Sequence, residues 1–171
     1  MKRLSWKYLA GLIDGEGCID MQTANLKLNG EKRFYCRPRL RMTLSGKAGE
    51  MILPQLQANF GGHFDPCRKW IDNPNWLPPH SWALTGKAHL RSVLQNLVNH
   101  LIIKKEQARF AIAWMDIMDS IPNGNQVGKN VPEEVRRFAH EELKAMKRDP
   151  QRLSEGAVLK IRELMRQSDQ A

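Results

Sequence analysis

Apolar side chains recur at helical spacing from Trp6 to Glu16, where Tyr8, Leu9, Leu12 and Ile13 supply the contacts and Ser5 stands ready to cap the first turn. Gly15 and Gly17 close this segment, and from Cys18 the period drops to two. Ile19 and Met21 then share one face while Asp20 and Gln22 share the other. Asn29-Gly30 marks a turn, and Arg33 to Leu44 continues the alternation, with Leu40, Met42 and Leu44 opposing Arg39, Arg41 and Thr43. The pattern predicts a hairpin with an oily side and a cationic side.

Helical periodicity returns from Gly49 to Asn59 and breaks at Gly61-Gly62. Short strands are expected near His63 to Trp70 and Ser81 to Thr85, with Asp72-Asn73-Pro74 and Pro78-Pro79 as loop. Four further helices are predicted over Lys87 to Asn99, Lys104 to Ser120, Pro132 to Arg148 and Ser154 to Gln167. Ile121-Pro122 ends the second of these, and Asn123 to Asn130 reads as a linker. The order predicts an α+β fold, an αββαββα core over residues 1–122, with a linker and C-terminal helices over 123–171 belonging to the same domain. Helices packed on one face of an antiparallel sheet leave its other face for a ligand.

Charge narrows the ligand. The chain has 171 residues, 27 Lys plus Arg against 18 Asp plus Glu, and a net charge of +9, a balance that favours polyanions. Four arginines, Arg33, Arg37, Arg39 and Arg41, fall in the second strand, and a two-stranded ribbon has the width of the DNA major groove. Expected DNA contacts are therefore Asp20 and Gln22, Arg33, Arg37, Arg39, Arg41 and Thr43, and Arg68 and Lys69 near the third strand. Trp82 is expected in the core, since a duplex offers no splayed bases for stacking. Arg136, Arg137, Lys144, Lys147 and Arg148 read either as backbone contacts or as a solvated helical face.

Three cysteines, Cys18, Cys36 and Cys67, form no disulfide framework, and His63, Cys67 and His80 match no standard zinc spacing. No apolar run approaches the ~20 residues of a membrane span, and Met1 to Tyr8 lacks the character of a signal peptide, so an intracellular protein without membrane contact is expected.

The most specific stretch is Leu9-Ala10-Gly11-Leu12-Ile13-Asp14-Gly15-Glu16-Gly17. Gly11 and Gly15 lie four apart on one helical face, at a cost of ~1 kcal/mol each in helix propensity that only a closely packed partner helix offsets. The chain holds one copy of the segment, so pairing about a twofold axis is the economical arrangement. The nine residues resemble the LAGLIDADG signature of homing endonucleases, with seven positions identical; Gly15 replaces Ala and Glu16 replaces the second Asp.

That resemblance implies a homodimer joined through the Trp6–Glu16 helix, with Gly11 and Gly15 at the dimer interface. It implies a site-specific double-strand DNA endonuclease, acting at a long, partly palindromic target and leaving short 3′ overhangs. Glu16 takes the place of the metal-binding catalytic acid, the Gly15 backbone carbonyl that of a further ligand, and Mg²⁺ that of the cofactor, with Mn²⁺ as its substitute. Asp14 falls to local structure. Lys104, in register through Gln107-Ala108, matches a lysine of single-motif members and would stabilise charge in the transition state. The residue that positions water falls at Ser45 or Gly46, with Lys47 near enough to substitute. Some proteins that resemble this family assist intron RNA folding, so an RNA-binding maturase is the alternative, and a DNA-binding regulator without cleavage is a third reading.

Overall fold

The computed structural model of the chain describes residues 3–28, 30–66, 77–121 and 131–168. Its elements run α1 (Trp6–Glu16), β1 (Gly17–Leu28), β2 (Glu31–Ser45), α2 (Gly46–Phe60), β3 (His63–Asp65), β4 (Pro79–Leu84), α3 (Lys87–Leu97), α4 (Lys105–Ser120), α5 (Glu133–Arg148) and α6 (Ser154–Ser168). This is the expected α+β order, and the four strands form one sheet in the order β1-β2-β4-β3. The β2–β4 and β3–β4 pairs are antiparallel, with Leu40 opposite Leu84 and Met42 opposite Trp82, so the buried side chains of both strands share a face.

The chain divides into two compact units, each built from two stretches: residues 1–19 with 39–102, and residues 20–38 with 103–171. In the first unit, α1 packs on α3, and α2 packs on β3 and β4. Leu9, Ala10 and Ile13 of α1 are buried, as are Leu53 and Leu56 of α2 and Leu90, Val93, Leu94 and Leu97 of α3. Trp82 is fully buried, as expected, and its indole N–H donates to the Gly61 carbonyl at 2.8 Å. In the second unit, the underside of the distal hairpin, Met21 and Cys36, joins a core with Phe110, Trp114, Val135, Ala139, Leu143, Met146 and Ile161 of α4, α5 and α6.

Three local expectations are corrected. Gly15 lies inside α1, and Gly17 alone is its C-cap. A Cβ on Gly17 would meet the Ile13 Cα at 2.7 Å, so helix and strand join without a connecting loop only because this residue has no side chain. Second, α2 begins at Gly46, in the left-handed region at φ 61°, three residues before its predicted start at Gly49. Third, Pro79 is strand rather than loop: it opens β4 opposite Ser45, a first-residue position at which a proline's missing N–H costs little. The expected loop Asp72-Asn73-Pro74, the expected linker Asn123 to Asn130 and residues 67–70 of the expected third strand lie outside the described residues. Among the described residues no helix is long and apolar enough to cross a membrane.

Candidate active site and nucleic-acid interface

Ser5 caps α1 by accepting the Tyr8 N–H at 3.2 Å, as the sequence implies. The helix buries Leu9, Ala10 and Ile13 and leaves its other side open. On that side Tyr8 is 44% exposed, Leu12 is half-buried, and among the described residues, the adjoining backbone of the helix itself aside, no atom lies within 4 Å of a Cβ built on Gly11 or Gly15. Residues 8, 11, 12 and 15 follow the i, i+3, i+4, i+7 spacing of a single helical stripe.

The two acids at the end of α1 part company. Asp14 Oδ2 accepts the Ile102 N–H at 2.7 Å, tying the helix to the segment that follows α3. Glu16, the last helical residue, is exposed, and its side chain makes no hydrogen bond or ion pair with another described residue. The Gly17 N–H is taken by the Ile13 and Leu12 carbonyls, so the Gly15 carbonyl is one of the terminal carbonyls that lie beyond the helix's own ladder. A carboxylate at a helix C-terminus is disfavoured by the backbone dipole, and a bound cation would reverse that sign.

Lys104 belongs to the second unit, whereas Glu16 belongs to the first. It is the half-buried N-cap residue of α4, and its carbonyl accepts the Ala108 N–H at 3.0 Å. Gln107 and Ala108, the two residues that set its register, are buried, and Gln107 Nε2 donates to the Met146 carbonyl at 3.4 Å. Ser45 ends β2 and occupies the N-cap position of α2, yet its hydroxyl makes no capping bond. Both Ser45 and Lys47 are exposed.

The cationic strand is as expected along its length. Alternate residues Cys36, Pro38, Leu40 and Met42 are buried, which turns Arg33, Arg37, Arg39, Arg41 and Thr43 to the other face. Arg37 and Thr43 are exposed, as is Arg41; Arg33 and Arg39 are half-buried, as are Asp20 and Gln22 of β1. Gln22 Oε1 accepts the Arg37 Nε–H at 2.9 Å, so these two candidate readers hold each other across the hairpin. Arg68 and Lys69 lie outside the described residues, as does Cys67 of the zinc alternative.

Pattern reading missed the far end of this face. Thr43 pairs with Ser81 and Ser81 with Asp65, while Arg41 pairs with Ala83 and Ala83 with His63. Directly paired residues point the same way, so His63, Asp65 and Ser81 extend the open face across three strands. The alternation His63-Phe64-Asp65 carried this signal, but three residues are too short a run to stand out.

Arg136 is corrected outright: it is neither a solvated charge nor placed for a phosphate, being only 2% exposed, with its guanidinium 5.4 Å from the centre of the Tyr35 ring. Burial lowers its pKa, and the nearby Cys36 and Tyr35 work in the opposite direction. Burial likewise pushes the Cys36 thiol up to about 12, against the pull of Arg136, so this cysteine is an inert core residue.

No protein-family model matches the sequence, and no curated protein matches it. Solved structures do. The chain is similar to the homing endonuclease I-CvuI, solved in complex with the I-CreI target in the presence of Mg, at 21% identity and a TM-score of 0.63 over 94% of this chain and 93% of that one. It is similar to the homing endonuclease I-TnaI at 17% identity and a TM-score of 0.60, over 96% of this chain and 99% of that one. A LAGLIDADG meganuclease, I-CpaMI bound to uncleaved DNA, aligns over 68% of this chain and 37% of its own, at 16% identity and a TM-score of 0.52. The chain shares the fold of these homing endonucleases.

Proposed function

We propose that the chain is a site-specific DNA endonuclease that acts as a homodimer, each subunit contributing one Glu16 to metal-dependent hydrolysis of double-stranded DNA. The observation that carries this reading is the open glycine stripe of α1 with the unpartnered Glu16 at its end. A second copy of the same stripe is the economical cover, because two such helices crossing about a twofold axis bring two carboxylates together. The similar proteins I-CvuI and I-CeuI were solved on DNA, and I-CvuI in the presence of Mg or Ca.

The donor set fits a hard divalent cation. Glu16 offers carboxylate oxygen, Gly15 a backbone carbonyl left outside the helical ladder, and the twofold partner would double both. Mg²⁺, or Mn²⁺ in its place, would supply acidified water and charge stabilisation at the phosphate. The remaining work falls to the chain: Glu16 holds the cation at the scissile phosphate, and Lys104 offsets charge that develops there. The free Ser45 hydroxyl, with Lys47 two residues on, orders water at the strand end. Arg37, Arg39, Arg41 and Gln22 read base edges of a long, partly palindromic site, and Arg33 contacts base or phosphate. The cut leaves short 3′ overhangs.

Incubation with Mg²⁺ and a randomised duplex pool, followed by sequencing of cut ends, is the test. Wild-type protein should yield one recurrent site with twofold character, and Glu16→Gln should bind that site with unchanged affinity while cutting at least about a thousandfold more slowly. Normal cleavage by Glu16→Gln would remove Glu16 from the chemistry. No cleavage at any concentration, together with tight binding of intron RNA, would favour the maturase instead.

A further inference from the structure

Residues 31–39 of β2 lie beyond its register with β4, which covers only Leu40 to Ser45. A strand edge left this way presents backbone N–H groups that need acceptors. At Phe34 the acceptor is a side chain from a residue 99 positions away: Glu133 Oε2 takes the Phe34 N–H at 3.1 Å. The same carboxylate is held from its other oxygen by Arg137, whose Nε donates at 2.8 Å and whose guanidinium lies 4.6 Å from the centre of the Phe34 ring. Two residues on, the Cys36 thiol donates to the Arg136 carbonyl at 3.4 Å, so the start of α5 grips the strand at two successive inward positions. The flanking residues Arg33 and Arg37 alternate with these inward positions and so point to the opposite face. The Phe34 N–H, then Arg137, with a smaller contribution from Arg33, hold the Glu133 carboxyl below the usual range, so it is ionised and sensed by Arg33 at neutral pH.

We propose that Glu133, locked by Arg137, is a positioning residue that clamps the edge of β2 at Phe34 and so aims Arg33 and Arg37, fixing base preference at the outer positions of the DNA site. The proposal rests on the DNA-cutting reading above. Its physical basis is the pleat: Phe34 is the immediate neighbour of Arg33 and lies three residues from Arg37, so a shift of its backbone re-aims both arginines while Glu16 is untouched. The first turns of α5 act on sequence selection without touching DNA.

The test has a protein arm and a DNA arm, both on the full chain. Amide exchange at Phe34 in the free protein should accelerate about tenfold or more in Glu133→Ala and less in Glu133→Gln, whose amide oxygen still accepts. In the randomised pool with Mg²⁺, Arg33→Ala and Arg37→Ala identify the base pairs those residues read. Glu133→Ala and Arg137→Ala should relax preference at those same base pairs and nowhere else, with turnover on the best site unchanged and Glu133→Gln restoring part of the preference. Unchanged selection by Glu133→Ala, or equal loss at every position, overturns the proposal, as does a fall in turnover without a change in preference. A wild-type protein that selects no sequence overturns the DNA-cutting reading, whereas a selective wild type alongside an equally selective Glu133→Ala overturns this proposal alone.

Discussion

Helices α1 and α5 make opposite uses of amphipathicity. α5 buries Val135, Arg136, Ala139, Leu143 and Met146 within its own unit, and even its guanidinium is enclosed. α1 buries only Leu9, Ala10 and Ile13 and leaves Tyr8, Leu12 and two glycines facing outward. An exposed glycine interior to a helix weakens it by ~1 kcal/mol, and α1 carries two. Among the described residues, α5 packs its apolar side into its own unit, whereas α1 leaves its glycine stripe open.

The sharpest way to break this contrast is to fill the open stripe. A Cβ at position 15 meets no described residue beyond the adjoining helix backbone, so Gly15→Leu should fold and gain helix propensity. By sedimentation it should run as a monomer, and its cleavage should fall on the order of a hundredfold or more. A dimeric, active Gly15→Leu would show that α1 does not pair. The reverse perturbation belongs to α5: Leu143→Ala should cost about 2–5 kcal/mol in chemical denaturation, because the buried site cannot collapse around the lost atoms. Its dimerisation should be unaffected, and loss of the dimer at full stability would contradict the division of labour.

The smallest effect concerns how α6 is held. Ser154 donates its backbone N–H and its hydroxyl to Glu106 Oε2, at 3.0 and 2.8 Å, while Arg109 pairs with Oε1. Burial pushes the Glu106 carboxyl up, but the two Ser154 bonds and Arg109 together outweigh it and leave it below the usual range. A depressed folded pKa contributes stability that is present above the unfolded value and lost as pH falls through the folded one. The melting temperature should therefore drop on acidification below the ordinary glutamate range, and Glu106→Gln should flatten that part of the profile. An unchanged slope in Glu106→Gln would assign the acid sensitivity elsewhere.

What could be read in advance follows the range of the forces involved. The bounds of α1 and the two faces of the β1–β2 hairpin are local matters of capping and period, and both were legible. The nine residues around Glu16 are a dense local signal too, and the role proposed for that acid rests on them. Arg136 was not legible: a charged residue on a helix points outward by default, and Tyr35 and Cys36, which meet it, lie about a hundred positions away. The start of α2 was hidden because Gly46 reads as a breaker while serving in the left-handed conformation that lets the chain turn from strand to helix. His63, Asp65 and Ser81 join the open face through register alone, which becomes visible once the strands are paired.

Gly17 leaves no slack between α1 and β1. From Glu16 to Asp20 is therefore a fixed stretch of about 13 Å of extended chain, set by covalent geometry. Side chains along the strand can be exchanged for others during the divergence of such a protein, and on the proposed function each exchange would rewrite a letter of the target. On the proposed function, the interval between the strand's readers and Glu16 would stay constant through all of them, because one inserted residue would turn the whole strand over. The junction is a ruler, and mutation can change what is measured against it far more easily than its length.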